Sequence, residues 1–244
     1  RATSADRFVD DERTTLLISG QNANNHLRSV SLVDESGRHV DNVHSTNATS
    51  SSYPTQDGIG KQFTISGPQH TTRESFIGNT SSIVFDGVDD VAKGLSGHSL
   101  PVGGNDRTVD FWVKQNDPYD TSGYDYIFGW GTASPDELFG MTKTGASPMG
   151  FYRVQGWGSP ADHTTTAQVL EGQWQHIVIT HSSSTTKTWA DGVLVSEHSR
   201  TLNTGAGDFG FGGSGHGGER SGVYLDEIRV SSLVKPPRIK WTHT

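Results

Sequence analysis

The chain contains no cysteine. It therefore forms no disulfide bond and offers no thiolate ligand to a metal ion. It also lacks any run of apolar residues close to the roughly 20 that a helix needs to cross a bilayer. A disulfide-stabilised scaffold and a thiolate metal centre are excluded, and insertion into a membrane is not expected.

Positive charge is scarce. The 19 lysine and arginine residues are outnumbered by 27 aspartate and glutamate residues, which gives a formal net charge of −8. A protein that binds duplex nucleic acid needs a basic surface to neutralise phosphates. The basic cluster KPPRIK near the C-terminus is short and is typical of a solvated tail. Nucleic acid is therefore not an expected partner.

Apolar residues are also few. They make up 31% of the chain, below the usual share of globular proteins, and 30 glycine residues take up part of the difference. No window of helical length keeps an uninterrupted helical periodicity, whereas alternating runs separated by turn-forming residues are common. The runs are TTLLIS, SVSLVD, KQFTIS, SIVFDG, RTVDFWVK, YDYIFGW, ELFGMTK, GFYRVQG, QHIVITH, TKTWA, VLVSEH and VYLDEIRV. This pattern predicts an all-β protein, an antiparallel β-sandwich of the jelly-roll type.

The spacing of these runs predicts a single domain. We expect one β-sandwich over residues 1–234, followed by a C-terminal tail over residues 235–244. The stretch NVHSTNATSSSYPTQDG is polar and has no clear period, so residues 38–80 are predicted to form a loop-rich insertion.

The stretch WQHIVITHSSSTTKTWADGVLVSEH is rich in histidine and hydroxyl groups, which would suit catalysis. On a strand, however, His176 and Val178 face one way, while His181 faces the other. The two histidines therefore cannot hold one ion together. Asp191 and Gly192 tolerate the positive φ angles of a type I′ turn and predict a two-residue hairpin. The stretch is interpreted mainly as scaffold.

The strand VYLDEIRV places a carboxylate among apolar residues. With strict alternation, Tyr224, Asp226, Ile228 and Val230 share one face, and Leu225 lies on the other with Glu227 and Arg229. A buried carboxylate needs hydrogen bonds, a cation or a raised pKa, because unpaired burial costs several kcal/mol or more. Asp226 is therefore a candidate metal ligand, and hydrogen bonds from loop N–H groups or an arginine partner are the alternative.

Known catalytic and cofactor motifs are absent. GFGGSG matches the spacing of a dinucleotide-binding loop, but no helix follows that could receive a phosphate. It is interpreted as a glycine-rich crossing or rim loop. The metalloprotease pattern H-E-x-x-H and the nucleophile elbow G-x-S-x-G do not occur.

Four segments resemble a known family when they are taken in order. They are SIVFDGVDDV, RTVDFWVK, WQHIVIT with TKTWADGVLV, and VYLDEIRVS. Together they resemble the laminin-G-like, concanavalin-A-like lectin and glucanase jelly rolls, and the resemblance spans residues 16–232. RTTLLISGQ and LVDESGRHV are similar to laminin-G-like modules in tail and fibre proteins of tailed phages, especially marine ones. The segment LISGQNANN departs from that pattern, because it replaces an acidic loop.

The resemblance implies a structural calcium ion at the rim of a sheet. Concanavalin-A-like sandwiches often carry one, with an aspartate in the position of Asp226 as a ligand. Calcium takes six to eight oxygen ligands, and Asp86, Asp89 and Asp90 in FDGVDD are the candidate co-ligands. Related enzymes that hydrolyse β-glucans carry several carboxylates on one strand in an E-x-D-x-x-E-like order, and no such strand occurs here.

Sugar binding is the chemistry that the loops favour. The C–H face of a sugar stacks on an indole or phenol ring, with polar side chains nearby to hydrogen-bond its hydroxyls. Trp157 in QGWGSPADH is the leading candidate, with Asp162 and His163 after it. Tyr119 and Tyr124 are further candidates, and a simple loop anchor is the alternative for Trp157.

These observations predict a non-catalytic, lectin-like recognition module on the surface of a virion or a cell, in an extracellular setting. The expected partner is a glycan or a cell-surface polysaccharide. Other virion or surface proteins and a homo-oligomer are further partners to consider. A structural decoration or cement protein is the first alternative, and a polysaccharide-degrading enzyme on the same fold is the second.

Overall fold

The computed structural model describes residues 14–18, 29–32, 43–46, 63–66, 69–71, 82–94, 100–115, 125–144, 150–158, 162–216 and 219–237. Within these ranges the chain forms 17 β-strands and no helix. No described helix is therefore long and apolar enough to span a membrane.

The strands follow one another along the whole described chain. In order they are β1 (Thr14–Ile18), β2 (Ser29–Leu32), β3 (Val43–Thr46), β4 (Phe63–Ser66), β5 (Gln69–Thr71), β6 (Ser82–Asp86), β7 (Val91–Gly94), β8 (Arg107–Gln115), β9 (Asp125–Gly131), β10 (Leu138–Thr144), β11 (Phe151–Gln155), β12 (His163–Gln168), β13 (Trp174–Ser182), β14 (Thr185–Ala190), β15 (Val193–Ser199), β16 (Phe209–Phe211) and β17 (Gly222–Ser231).

Two large antiparallel sheets face each other. The first runs β15-β14-β13-β8-β17-β6-β5, and β1 also pairs with β17. The second runs β12-β11-β10-β9-β16-β7-β4, and β2 and β3 form a separate pair. The predicted fold class, an antiparallel β-sandwich, is confirmed. β12 and β15 end their sheets at the same side of the sandwich, where they contact each other.

The core lies between the sheets and is built by alternation. On β8, Val109, Phe111 and Val113 are buried in the hydrophobic core, and Phe128 packs against Phe111 from the facing sheet with ring centroids 5.6 Å apart. Trp112 is buried too, yet it is not part of this core. It points to the opposite face of the sheet, as period-two geometry requires.

The hairpin between β14 and β15 has the predicted turn. Asp191 and Gly192 have φ angles of 49° and 78°, and two positive values are the signature of a type I′ turn. The backbone is further tied by the Asp191 carboxylate, which accepts a hydrogen bond from the His176 N–H at 2.9 Å. This part of the chain is scaffold, as predicted.

The alternation predicted for the closing strand β17 is wrong. Its pairing with β8 shifts between Asp226 and Arg229, and Glu227 has a φ of 48°. Such a bulge adds one residue and resets which side chains face inward. As a result both Leu225, before the bulge, and Ile228, after it, lie in the core.

Several strands carry too little apolar signal to be recognised from the sequence. The structure adds β3, β5, β7, β12 and β16 to the predicted runs. β12 reads HTTTAQ and β16 reads FGF, so neither offers a clear alternation. Three of the strands, β3, β4 and β5, fall in residues 38–80. That stretch was predicted to be a loop-rich insertion apart from the run KQFTIS, yet β4 and β5 end the two large sheets.

Candidate functional site

A strained, exposed tryptophan lies in the turn after β11. Trp157 has a φ of 61° and an exposed fraction of 38%. A positive φ is a genuine outlier for a bulky side chain and costs about 1–2 kcal/mol. Such a conformation persists only where surrounding contacts hold it in place.

Asp162 holds that turn. One carboxylate oxygen, Oδ1, accepts hydrogen bonds from the N–H groups of Gly156 at 2.7 Å and Gly158 at 3.3 Å. The other, Oδ2, pairs with Arg153 Nη2 at 2.9 Å. The Asp162 N–H donates to the Gly158 carbonyl oxygen at 3.1 Å. These bonds close the turn and leave the Trp157 indole on its outside.

His163, the next residue, joins the two sheets. Its imidazole stacks on that of His198, with ring centroids 4.4 Å apart and planes 8° from parallel. His163 begins β12 and His198 lies on β15, so the pair sits where the two edge strands meet. Along the same side, the Thr166 hydroxyl donates to the Val195 carbonyl oxygen at 2.9 Å. We call the contact of β12 with β15 the seam.

A row of polar side chains leads inward from the seam. Register pairs His198 with Thr186, Thr186 with His181, and His181 with Arg107. Residues opposite each other on neighbouring strands point to the same side of a sheet. His181 follows the core residue Ile179 by two positions, so this row faces the space between the sheets.

Arg107 is fully buried in that row. Its guanidinium donates to the carbonyl oxygens of Gly103 at 2.6 Å and Asn105 at 3.0 Å, and to the Thr204 hydroxyl at 2.8 Å. It also lies 5.0 Å from the centroid of the Phe139 ring. Burial, and then the nearby positive charge of Arg200, lower the pKa of Arg107 to about 10.

Arg200 is the second buried cation. Its Nη2 donates to the Gln155 carbonyl oxygen at 3.3 Å, which ties the end of β15 to β11. Burial lowers its pKa to about 10, while the carboxylates of Asp162 and Asp136 act in the opposite direction. Within the described part of the chain, its buried Nε and Nη1 atoms have no hydrogen-bond partner.

Two histidines near the seam, His181 and His163, have lowered pKa values and so favour the neutral form. Burial, then Arg107 and Arg200, lower the pKa of His181 to about 4. Burial, then His198 and Arg200, lower the pKa of His163 as well. The Nδ1 atom of His181 lies within hydrogen-bond distance of the Thr186 hydroxyl, at 2.8 Å.

The structure brings three of the four candidate calcium ligands together. Carboxylate oxygens of Asp86, Asp89 and Asp90 lie within 4.8 Å of one another, in the turn between β6 and β7. The Asp86 carboxylate accepts a hydrogen bond from the Val88 N–H at 2.7 Å, and Asp90 accepts one from the Asp86 N–H at 2.8 Å. Burial, and then its acidic neighbours, raise the pKa of Asp90 to about 6.

Asp226 lies elsewhere. Gly222 pairs with Asp86, and Asp226 is four residues further along β17, or about 13 Å at strand spacing. It is buried, its Oδ1 accepts a hydrogen bond from the Glu227 N–H at 2.9 Å, and it stands opposite Trp112 of β8. The Asp226 carboxylate thus has a backbone N–H donor in the bulge of β17 rather than in a loop, and Asp226 is not part of the acidic turn.

Of the five candidate sugar-binding residues, three are described by the structure and two are not. Trp157, Asp162 and His163 lie together at one rim of the sandwich, as described above. Tyr119 and Tyr124 fall outside the described residues. Asp162 is placed as the brace of the Trp157 turn, and a direct sugar contact by Asp162 or His163 stays a prediction.

A second polar cluster was missed by the sequence analysis. On the face of the first sheet that points away from the core, Asp110 lies 2.7 Å from His176 Nε2 and 2.6 Å from Arg229 Nη2. The His176 ring stacks on Trp112 with centroids 4.8 Å apart. These contacts tie β8, β13 and β17 together. Alternation in TVDFWV marks Asp110 as facing away from the core, but its partners depend on strand order, which local patterns do not reveal.

The sequence matches one family model. Residues 86–237, more than half of the 244-residue chain, match the model Laminin_G_3, described as the concanavalin A-like lectin/glucanases superfamily. The chain therefore belongs to this superfamily, and the resemblance noted from its motifs is confirmed. None of the curated protein sequences compared with the chain matches it significantly.

Solved structures share the fold at low sequence identity. Domain 4 of AbnA, a GH43 extracellular arabinanase from Geobacillus stearothermophilus, in complex with arabinotriose, has a TM-score of 0.59 and 17% identity, over 90% of this chain and 92% of that one. The binding domain of Paraclostridial Mosquitocidal Protein 1 has a TM-score of 0.59 and 12% identity, over 92% and 50%. The botulinum neurotoxin serotype D binding domain has a TM-score of 0.53 and 12% identity, over 91% of this chain and 48% of that one. The chain thus spans about half of each toxin binding domain.

Proposed function

We propose that the chain is a non-catalytic glycan-recognition module whose ligand stacks on Trp157. The observation that carries the proposal is the exposed indole held in a strained turn. Trp157 is 38% exposed, and backbone strain of this kind clusters at binding sites. A rigid aromatic platform on a rim loop is suited to binding, because the strands beneath it stay fixed.

The surroundings of the turn favour binding over hydrolysis. Glycoside hydrolysis needs two carboxyl groups at a set separation across the bond that is cleaved. At this rim the Asp162 carboxylate is occupied by the Arg153 guanidinium and by two backbone N–H groups. It is therefore suited to holding the turn rather than to donating or accepting a proton.

The structural neighbours are consistent with this role at the level of the fold. One is a domain of an extracellular arabinanase solved with arabinotriose, and others are toxin binding domains. We extend this to a setting outside the cell, on a cell or virion surface, with a cell-surface polysaccharide as the ligand. The virion setting rests on the resemblance of the N-terminal motifs to phage tail and fibre modules.

A glycan array with two matched variants tests the proposal. Trp157→Ala removes the platform, while Leu233→Ala removes a side chain with the same exposed fraction, 38%, in the segment after β17. We expect the wild type and Leu233→Ala to bind the same glycans. Trp157→Ala should bind them at least about tenfold more weakly, because truncating a central aromatic anchor costs 2 kcal/mol or more.

Three results would redirect the proposal. Equal binding by all three proteins would remove Trp157 from the site. No glycan binding together with self-association would favour the structural alternative, for which the exposed Val193 and Leu194 at the tip of the β14–β15 hairpin offer a contact surface. Depolymerisation of a bound polysaccharide, lost on changing one carboxylate, would favour the enzyme.

We also propose that the acidic turn of Asp86, Asp89 and Asp90 holds a calcium ion. Its carboxylate oxygens are the hard donors that calcium takes, and backbone carbonyls or water would complete a shell of six to eight. Burial is the main cause that raises the pKa of Asp90, and repulsion from the carboxylates of Asp86 and Asp89 raises it further. A bound cation would relieve this repulsion.

Thermal unfolding with calcium or with a chelator tests the metal proposal. An ion that binds only the folded state adds about 2.7 kcal/mol of stability at 100 times its Kd. The exposed Asp89 can be changed to alanine without removing either of the bonds that Asp86 and Asp90 accept from backbone N–H groups. Calcium should raise the midpoint of the wild type and leave Asp89→Ala unchanged. An equal response of both proteins would place the ion elsewhere.

A further inference from the structure

Two buried arginines give the interior near the seam a positive charge that contacts no carboxylate. Arg107 and Arg200 are 0% and 5% exposed. The Arg107 guanidinium donates only to carbonyl and hydroxyl oxygens, and that of Arg200 donates only to the Gln155 carbonyl oxygen. Among the described residues, neither guanidinium forms an ion pair. A buried cation of this kind is costly unless negative charge lies beside it.

The carboxylates that act on these cations from a distance do not supply that charge. Asp106 acts to raise the pKa of the first arginine, but its Oδ1 accepts a hydrogen bond from the Ser182 hydroxyl at 2.8 Å. Asp162 and Asp136 act to raise the pKa of the second, but Asp162 is paired with Arg153. Burial outweighs these carboxylates, because the pKa of each arginine is lowered to about 10.

Free hydrogen-bond donors lie beside this positive charge. In the part of the chain that the structure describes, Nε and Nη1 of Arg200 and Nε2 of His181 are buried and have no hydrogen-bond partner. The Nδ1 atom of His181 lies 2.8 Å from the Thr186 hydroxyl, and a neutral imidazole that accepts at Nδ1 donates at Nε2. Buried polar atoms are nearly always bonded, so a group of orphaned donors indicates a bound water or ion.

The backbone brings these groups to one place between the sheets. Arg107 lies opposite His181 on the neighbouring strand. The Arg200 N–H donates to the Ser184 carbonyl oxygen at 2.6 Å, in the turn that follows the strand of His181. Both arginines act on the imidazole, because their charges help to lower the pKa of His181. The free donors and the two positive charges therefore belong to one buried layer.

We propose that Arg200 and His181 bind a chloride ion between the two sheets, with Arg107 supplying a second positive charge. A chloride ion accepts hydrogen bonds from several directions at once and carries the negative charge that this layer lacks. A water molecule would satisfy the donors but leave both cations uncompensated. The site is separate from the Trp157 turn and from the acidic turn, and it does not depend on the proposed function.

The ion would fasten the end of β15 to the facing sheet. Arg200 directly follows β15, and its Nη2 atom reaches the Gln155 carbonyl oxygen of β11. An anion on the Nε and Nη1 atoms holds the same guanidinium from its other edge. Because the unfolded chain has no such site, chloride should stabilise the folded protein.

Thermal unfolding in two sodium salts tests the chloride site. Sodium chloride is compared with sodium methanesulfonate at the same ionic strength and at about pH 7, with a chelator in both so that the acidic turn stays empty. At about ten times the Kd of chloride, we expect the midpoint of the wild type to be at least about 2 °C higher in chloride. Arg200→Met removes the free donors and one charge, and it should show no difference between the salts. The control Lys187→Gln removes a cation that is 40% exposed and should respond as the wild type does.

Crystals of the wild type grown in bromide, which replaces chloride and scatters anomalously, locate the ion directly. We expect an anomalous peak between Arg200 Nη1 and His181 Nε2. Equal midpoints of the wild type in the two salts, or a chloride response that survives in Arg200→Met, would overturn the proposal. If Arg200→Met does not fold, the bromide crystals decide, and an ordered water without an anomalous peak at this position would overturn it. No glycan is present in either measurement, so failure here leaves the Trp157 site standing.

Discussion

At the scale of single residues, Trp157 shows a conflict between local preference and position. A tryptophan with a φ of 61° is strained, and glycine adopts that region without cost. The chain keeps the tryptophan and holds it with bonds to Asp162. This cost in stability is the physical ground for assigning the residue a role outside the fold.

Two substitutions at this position separate strain from packing. Trp157→Gly and Trp157→Ala both remove the indole, but only alanine retains a Cβ in the left-handed region. We expect Trp157→Gly to be more stable than Trp157→Ala by about 1 kcal/mol. Urea unfolding of the two proteins measures this difference. A more stable alanine variant would show that the turn is not strained at this residue.

The sequence marks Trp157 because glycine and proline surround it. It does not reveal what Asp162 does, since that depends on which N–H groups the turn brings to the carboxylate. The position of Asp226 was predictable only in part. Its burial follows from its apolar neighbours, but the bulge at Glu227 depends on the pairing of β17 with β8.

At the scale of strands, the row from Arg107 to His198 makes stability depend on pH. His181 has a folded-state pKa of about 4, below its ordinary value of 6.5. The unfolded chain therefore binds the proton more readily, and the stability that neutral His181 contributes is present above about pH 6.5 and falls as the pH drops towards about 4.

We expect the loss from His181 to be on the order of 2 kcal/mol at about pH 5. Urea unfolding of the wild type and of His181→Leu at about pH 7 and pH 5 isolates this contribution. The variant should lose less stability than the wild type over that interval. An equal loss would mean that other groups account for the acid sensitivity.

Close packing of β7 against β16 gives a second prediction at this scale. A Cβ at Gly94 would lie 1.9 Å from Cε1 of the buried Phe209 ring. The ring is buried in the core, so a shift of the ring would disturb the residues packed around it. Gly94→Ala should therefore destabilise the protein by about 1–3 kcal/mol in thermal or urea unfolding. A change below about 0.5 kcal/mol would show that the ring can shift.

Strands with alternating apolar residues were predictable, and polar strands were not. β8 and β13 follow from their sequences because the middle of each strand carries apolar inward residues, Val109, Phe111 and Val113 on β8 and Ile177 and Ile179 on β13. β12 reads as a polar loop, yet pairing with β11 makes it the edge of a sheet. Edge strands lack the requirement for apolar residues on both faces, so their signal is weak.

At the scale of the whole molecule, two facing sheets place loops at the rims and bring the edge strands β12 and β15 together at the seam. The sequence predicts the two-sheet architecture through its alternation and its turns. It does not predict that His163, close to the Trp157 turn, stacks on His198, because this contact joins β12 and β15 from different sheets. The Trp157 turn is thus a local motif of the sequence, whereas its link to β15 through His198 is a product of topology.

The proposed function depends on Trp157 serving as the platform for a glycan. The most direct measurement follows the Trp157 indole N–H resonance while the labelled protein is titrated with glycans that the array identifies, with arabinotriose included as a probe. If the indole is the platform, this resonance shows a saturable shift and Trp157→Ala loses binding. Saturable glycan binding that leaves the Trp157 resonance unmoved would contradict it.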